Sequence, residues 1–254
     1  KAAFAGTFYA ADPVELKQNI NDFYSKTEKS DIEGQEVVAV VSPHAGYIYS
    51  GEVAAWSFKQ IDKNKRFKRI ILIGTSHQAV FNGASIYTGG HYETPLGRVK
   101  VDLEAAMKLV NNYSFIFFKK SAHTREHSIE VQLPFLQAHL NHEFMILPVI
   151  VGTRNFKTLN LLADALSEFI DNETLVVLSS DFSHYPPYDV AREKDLKTAE
   201  VFMNEDTKGF YGYIKRTEEN KSENFLTPMC GWPSGIVLKH LFPSDKPYRY
   251  QHVH

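Results

Sequence analysis

Four short stretches of the chain, residues 37–41, 69–73, 144–150 and 174–178, are β-branched or aliphatic at almost every position. Unbroken rather than alternating hydrophobicity predicts strands covered on both faces, as in a parallel sheet. Helical spacing of apolar positions lies between them, at residues 52–61, 102–111, 130–140 and 156–169. A further helix is expected to start at Asp12-Pro13-Val14-Glu15 and run to Lys26. There Asp caps, Pro fits the first turn and Glu stands three residues after the cap. Alternating strands and helices predict an α/β sandwich with a mainly parallel central sheet flanked by helices. Residues 84–88 and 97–101, separated by Gly89-Gly90 and Thr94-Pro95, predict a hairpin-like excursion, and residues 114–118 another strand. Phe115, Phe117 and Phe118 are assigned to the core. No Gly/Ser/Pro-rich linker divides the chain, so residues 1–254 are expected to form a single domain.

Polar residues collect just after the predicted strands. Residues 37–41 lead into Ser42-Pro43-His44-Ala45-Gly46-Tyr47, residues 69–73 into Gly74-Thr75-Ser76-His77, and residues 174–178 into Ser179-Ser180-Asp181-Phe182-Ser183-His184. Ligands bind outside the carboxyl ends of the strands in open α/β sheets. The three loops are therefore expected to meet at one sheet edge. One histidine after a strand is ordinarily a turn or capping residue. Three such positions favour a shared site, and histidine is both the commonest metal ligand and the usual acid/base near neutral pH. Cys230 lies in Thr227-Pro228-Met229-Cys230-Gly231-Trp232-Pro233, just before an apolar helical stretch at 236–241. A lone cysteine is usually an inert small hydrophobe, but a helix N-terminus lowers a thiol's pKa and favours thiolate.

His123, Glu126 and His127 spell H-x-x-E-H, the inverted zinc-peptidase pattern. That pattern requires one helix carrying both histidines. Ser128 reads as an N-cap, and Pro134 is tolerable only near a helix start, so both histidines are expected in an entering loop. Glu126, His127 and Glu130 then line or brace the pocket, or else form a capped surface turn.

Composition narrows the classes. The net charge of the 254 residues is −2, which gives no global basic field for nucleic acid. The basic residues of 63–68 read as a solvated turn. A single cysteine excludes an internal disulfide and fits a reducing, cytoplasmic compartment. No apolar run approaches the roughly 20 residues of a membrane helix. No Walker loop, G-x-G-x-x-G or G-x-S-x-G occurs.

The segments Ala5-Gly6-Thr7-Phe8-Tyr9, Pro43-His44-Ala45-Gly46-Tyr47, Gly74-Thr75-Ser76-His77, Glu126 to Leu136, Ser179 to His184 and Cys230-Gly231 carry a family likeness, in order along nearly the whole chain. The chain resembles the Memo family, which includes AmmeMemoRadiSam system protein B. The resemblance implies a fold similar to class III extradiol dioxygenases, which are non-haem iron enzymes. It implies His44, His77 and Cys230 as metal ligands, with Asp181 and His184 beside them and His184 handling protons. Iron(II) or copper is the expected ion, with zinc as an alternative. Thiolate replaces the carboxylate of the dioxygenase site; it is softer and oxidisable, which argues against catechol cleavage. Tyr47, Tyr49 and His127 are expected to line the cleft. Three functions stay open: a metal-dependent redox enzyme on a small molecule, a metal- or peptide-binding signalling protein without turnover, and a zinc hydrolase. The resemblance also implies a radical-SAM protein and an AMMECR1-like protein as partners, and a further segment after His254.

Overall fold

The computed structural model describes residues 2–30, 35–220, 225–244 and 248–253. The four apolar stretches form strands β1 (Ala39–Ser42), β2 (Arg69–Thr75), β7 (Met145–Val151) and β8 (Thr174–Ser179). They lie side by side and parallel in the order β1-β8-β2-β7. Their continuous hydrophobicity has the expected cause. Ile71, Ile73, Val176 and Leu178 point to one core, while Ile70, Leu72, Leu175 and Val177 point to the other.

Helices α1 (Pro13–Ser25), α2 (Tyr47–Lys59) and α6 (Leu133–His139) cover the second face, with Leu16, Ile20, Phe58 and Phe135 buried against it. Helices α3 (Leu103–Asn112), α7 (Phe156–Ser167) and α10 (Trp232–Leu241) cover the first. The Asp12 side chain accepts from Val14 N and Glu15 N at 2.9 Å, which fixes the start of α1 as its sequence predicts. Asp102 caps α3 through Ala105 N and also pairs with Arg69 of β2 at 2.7 Å, largely out of solvent. Among the described residues, no helix is long and apolar enough to cross a membrane.

Several local expectations are corrected. The hairpin pairs β4 (His91–Thr94) with β5 (Gly97–Val101), not residues 84–88 with 97–101. Gly97 takes φ +123°, which permits the tight turn, and Thr94 Oγ1 accepts from Leu96 N inside it. Strand β3 (Ala84–Ile86) instead runs antiparallel to β7 and parallel to β6 (Ile116–Phe117). The stretch 130–140 is two helices, α5 (His127–Glu130) and α6, because Pro134 opens a new helix. Glu126, not Ser128, is the N-cap of α5 and accepts from Ser128 N. Phe118 is exposed rather than core. Helix α2 starts at Tyr47, five residues before the predicted stretch. Helices α8 (Tyr188–Asn204) and α9 (Thr207–Glu219) have no counterpart in the sequence reading; α8 buries Thr198, Ala199 and Phe202, and α9 buries Phe210 and Ile214.

Candidate metal centre

Three neighbouring strands deliver the site. His44 follows β1, His77 follows β2, and Asp181 with His184 follow β8, the strand between them. His44 is fully buried, and its backbone N–H donates to Asp181 Oδ1 at 2.7 Å. Its Nδ1 lies 2.9 Å from Ser179 Oγ and its Nε2 lies 3.3 Å from Cys230 Sγ. His77 is held by Glu126, whose two oxygens accept from His77 N at 2.7 Å and His77 Nδ1 at 2.9 Å. Cys230 also acts electrostatically on the His77 ring, whose Nδ1 is engaged by Glu126. Cys230 is held from behind: its N–H donates to Asp181 O at 3.1 Å.

Two glycines allow this convergence. A Cβ on Gly231 would sit 2.6 Å from Ser180 Oγ, and one on Gly74 would sit 2.5 Å from Ser128 Oγ. Gly231 thus lets the cysteine turn close onto β8, where Ser180 Oγ accepts from Gly231 N. Gly74 lets α5 press against β2.

That packing brings in His127. Its ring centroid lies 4.6 Å from that of His77 and 5.1 Å from that of His44. The ligand nitrogens of His44, His77 and His127 all lie within 4.8 Å of one another. The sequence placed His127 in the lining; the structure makes it a third imidazole donor beside Cys230. Phe4 and Phe8 wall its ring at 5.7 and 5.0 Å. Glu130 holds that wall: its carboxylate accepts from Ala3 N, Phe4 N and the buried Tyr9 hydroxyl at 2.6–2.9 Å. Glu130 therefore braces the N-terminal turn rather than facing the histidines.

The remaining candidates separate. Asp181 Oδ2 stands 3.7 Å from His44 Nε2 and 3.8 Å from His184 Nε2, between the buried histidine and the partly exposed one. Tyr47 lies in the core, donating to Val131 O and packing on Phe135, so it does not line the cleft. Tyr49 is 84% exposed. His123 ends α4 (Lys120–His123) and bonds Ser85 and Tyr92, away from the three imidazoles. Arg125, in left-handed backbone at φ 58°, separates His123 from His127, so the H-x-x-E-H pattern forms no helical ligand pair. Only one other described non-glycine residue has positive φ: Tyr185, directly after His184. Backbone strain of this kind clusters at functional sites. Sequence reasoning missed Ser179, Gln132 and Asp195. Asp195 of α8 accepts from Ser183 N and so holds the loop that carries His184.

Electrostatics couples the donors. Burial works against the Cys230 thiolate, but hydrogen bonds from His44 and His77 overcome it and bring the thiol to about 6. Burial likewise opposes a charged His44 and His77, and the Cys230 contacts, with Glu126 at His77, raise both. His127 is pushed down to about 4 by burial and by the neighbouring imidazoles. Three imidazole nitrogens within 4.8 Å of one another, with Cys230 Sγ beside His44, form a donor set that fits a transition-metal ion.

The profile of the Memo-like protein family matches residues 1–238. The chain belongs to the Memo-like family. A MEMO1 family protein of Saccharolobus islandicus is 36% identical over 256 residues, covering 96% of this chain and 87% of its own. That of Ignicoccus hospitalis is 36% identical over 260 residues, covering 96% and 91%. Among solved structures, an uncharacterized Escherichia coli K12 protein is similar with a TM-score of 0.46 and 13% identity, over 75% of this chain and 80% of its own.

In this Memo-like protein, Glu126 fixes the orientation of His77 as a carboxylate does behind a metal-binding histidine. Glu126→Gln is expected to weaken metal binding by about 10–100-fold, because an amide oxygen accepts less strongly and its NH2 faces a donor. Competition against a chromophoric chelator measures it. An unchanged affinity would remove Glu126 from the site's support.

Proposed function

We propose that this Memo-like protein binds one redox-capable metal ion, iron(II) or copper, and uses it on a small molecule. His44 and His77 would bind through Nε2 and Cys230 through its thiolate. The observation that carries the reading is the contact of buried His44 Nε2 with Cys230 Sγ at 3.3 Å, beside a His77 nitrogen within 4.8 Å of that of His44. Three protein ligands leave positions for an exogenous molecule, as catalytic sites require. The ion would supply a Lewis acid and an electron donor. His184, 34% exposed on its side chain, would exchange protons at its ring nitrogen with a bound molecule, and Asp181 would orient it. A reducing cytoplasm would keep the thiol available.

His127 favours a second reading. If it joined the other three donors, the site would be a closed tetrahedron, the pattern of structural or storage sites. Metal or peptide binding without turnover would follow, with the radical-SAM and AMMECR1-like proteins as candidate partners.

The test is metal analysis by mass spectrometry of untagged protein purified anaerobically, beside Cys230→Ser. Near-stoichiometric iron or copper, lost in the variant, supports the redox reading and justifies an oxygen-uptake screen. Zinc lost in the same way moves the assignment to a hydrolase. No metal after reconstitution with iron(II), copper(I) and zinc overturns the metal assignment.

A further inference from the structure

We propose that Glu218 of α9 is a positioning residue that fixes the turn carrying Cys230, so that the thiol lies against His44. The proposal rests on the reading of Cys230 as a donor of the site. The partners of Glu218 are Arg154, Thr227 and Trp232, none of them a donor.

His44 and His77 each stand just after a strand, but Cys230 stands in the turn before α10. That turn is tied to the loop after β8 at two points. Cys230 N–H donates to Asp181 O at 3.1 Å, and Gly231 N–H donates to Ser180 Oγ at 2.8 Å. Glu218 holds the residues on either side. Two positions after the cysteine, Trp232 Nε1–H donates to Glu218 Oε1 at 3.1 Å. Three positions before it, Thr227 Oγ1 stands 3.2 Å from Met229 O and 3.4 Å from the same Glu218 oxygen. The one hydroxyl proton of Thr227 is shared between the turn and the helix.

An acceptor is needed here because Trp232 is fully buried. An indole N–H can only donate, and a buried donor left without a partner keeps the whole cost of its lost hydration. Core packing sets where the ring lies. The acceptor sets where its N–H points, and with it the start of α10 directly behind Cys230. Glu218 is itself firmly placed: α9 is anchored by buried Phe210 and Ile214, and Tyr213 Oη lies 2.9 Å from Thr198 Oγ1 of α8. Glu218 Oε1 also accepts from Arg154 Nη2 at 2.7 Å, but that side chain is 60% exposed, so the pair adds little. Asp195 of α8 holds the His184 loop through Ser183 N. The α8–α9 pair thus supplies one carboxylate to each of these two segments of the site.

The experiment uses the full chain, metal-free and reduced. Its single cysteine means that alkylation by iodoacetamide, followed by mass, reports Cys230 alone. At about pH 9.5 an ordinary thiol is ionised, so the rate reads access to the sulfur. Glu218→Ala is expected to raise that rate at least about tenfold, the scale of one lost hydrogen bond to a charged group. Glu218→Gln keeps an oxygen for Trp232 and is expected to stay within about threefold of wild type. Arg154→Ala, which removes only the exposed pair, is expected to stay within the same range. Trp232→Phe removes the N–H and is expected to act like Glu218→Ala, and the double variant to be no faster than the faster single one. With cobalt(II) as the probe, thiolate-to-metal absorption should survive in Glu218→Gln and weaken in Glu218→Ala. Circular dichroism restricts the comparison to folded variants. A folded Glu218→Ala alkylated within about twofold of wild type, a Glu218→Gln as fast as Glu218→Ala, or additive effects in the double variant would overturn the proposal. If Glu218→Ala does not fold, Trp232→Phe decides in its place by the same two rates. A protein that binds no cobalt would count against the function proposed above, while the alkylation rates still decide this one.

Discussion

His44→Ala and His77→Ala are each expected to lose at least about 100-fold in metal affinity, beyond the range produced by removing an outer hydrogen-bond partner. Each removes one imidazole whose other nitrogen is already committed, to Ser179 or to Glu126. Cys230→Ser is expected to fall in the same class, because a hydroxyl does not ionise at neutral pH and thiolate is the softer donor. His127→Ala separates the two readings. With a His44/His77/Cys230 set it costs less than about 10-fold, the low end of the outer-partner range. With a closed four-donor set it costs as much as His44→Ala. The smaller loss is expected, since Phe4 and Phe8 wall the His127 ring. Chelator competition on variants that keep the wild-type circular dichroism spectrum gives the numbers.

The largest stability effect is expected far from the site, at Asp102. Its carboxylate receives Arg69 Nε and Nη2 at 2.7 Å and caps α3 through Ala105 N at 3.0 Å. Both side chains are mostly buried, at 13% and 6% exposure. Asp102→Ala strands the guanidinium at the start of β2 and uncaps α3. Breaking such a pair costs about 3–5 kcal/mol. Urea denaturation should show the midpoint falling with an unchanged slope. Adding Arg69→Met should recover a large part, because the penalty lies mainly in the stranded charge. If the double variant is no more stable than Asp102→Ala, the cap and packing, not the ion pair, carry the loss.

How far the sequence could be read depended on whether the cause was local. Strands β2, β7 and β8 were legible because each is buried on both faces and so is apolar at successive positions, while β1, at the sheet's end, is half-buried at Ala39 and Val41. Helix α8 was not, because its apolar positions have little helical periodicity, whereas α9 presents Phe210 and Ile214 at helical spacing and was passed over. The hairpin was misplaced for a related reason. Gly89-Gly90 resembles a turn, but the chain turns at Gly97, where Thr94 supplies the internal hydrogen bond.

By itself the sequence determined the α/β layering, the three loops that carry His44, His77 and Asp181, and the family to which the chain belongs. Residue type and its place after a buried strand suffice for that. The tertiary structure decided the contacts themselves. Glu126 grips His77 across 49 residues, Ser179 meets His44 across 135, and Cys230 reaches His44 across 186. It also set Tyr47 into the core, turned Glu130 towards the N-terminal turn and brought His127 against the other imidazoles. The reason is the strand order β1-β8-β2-β7. Local periodicity reports whether a strand is buried, but the neighbour it lies beside follows from packing of the whole chain.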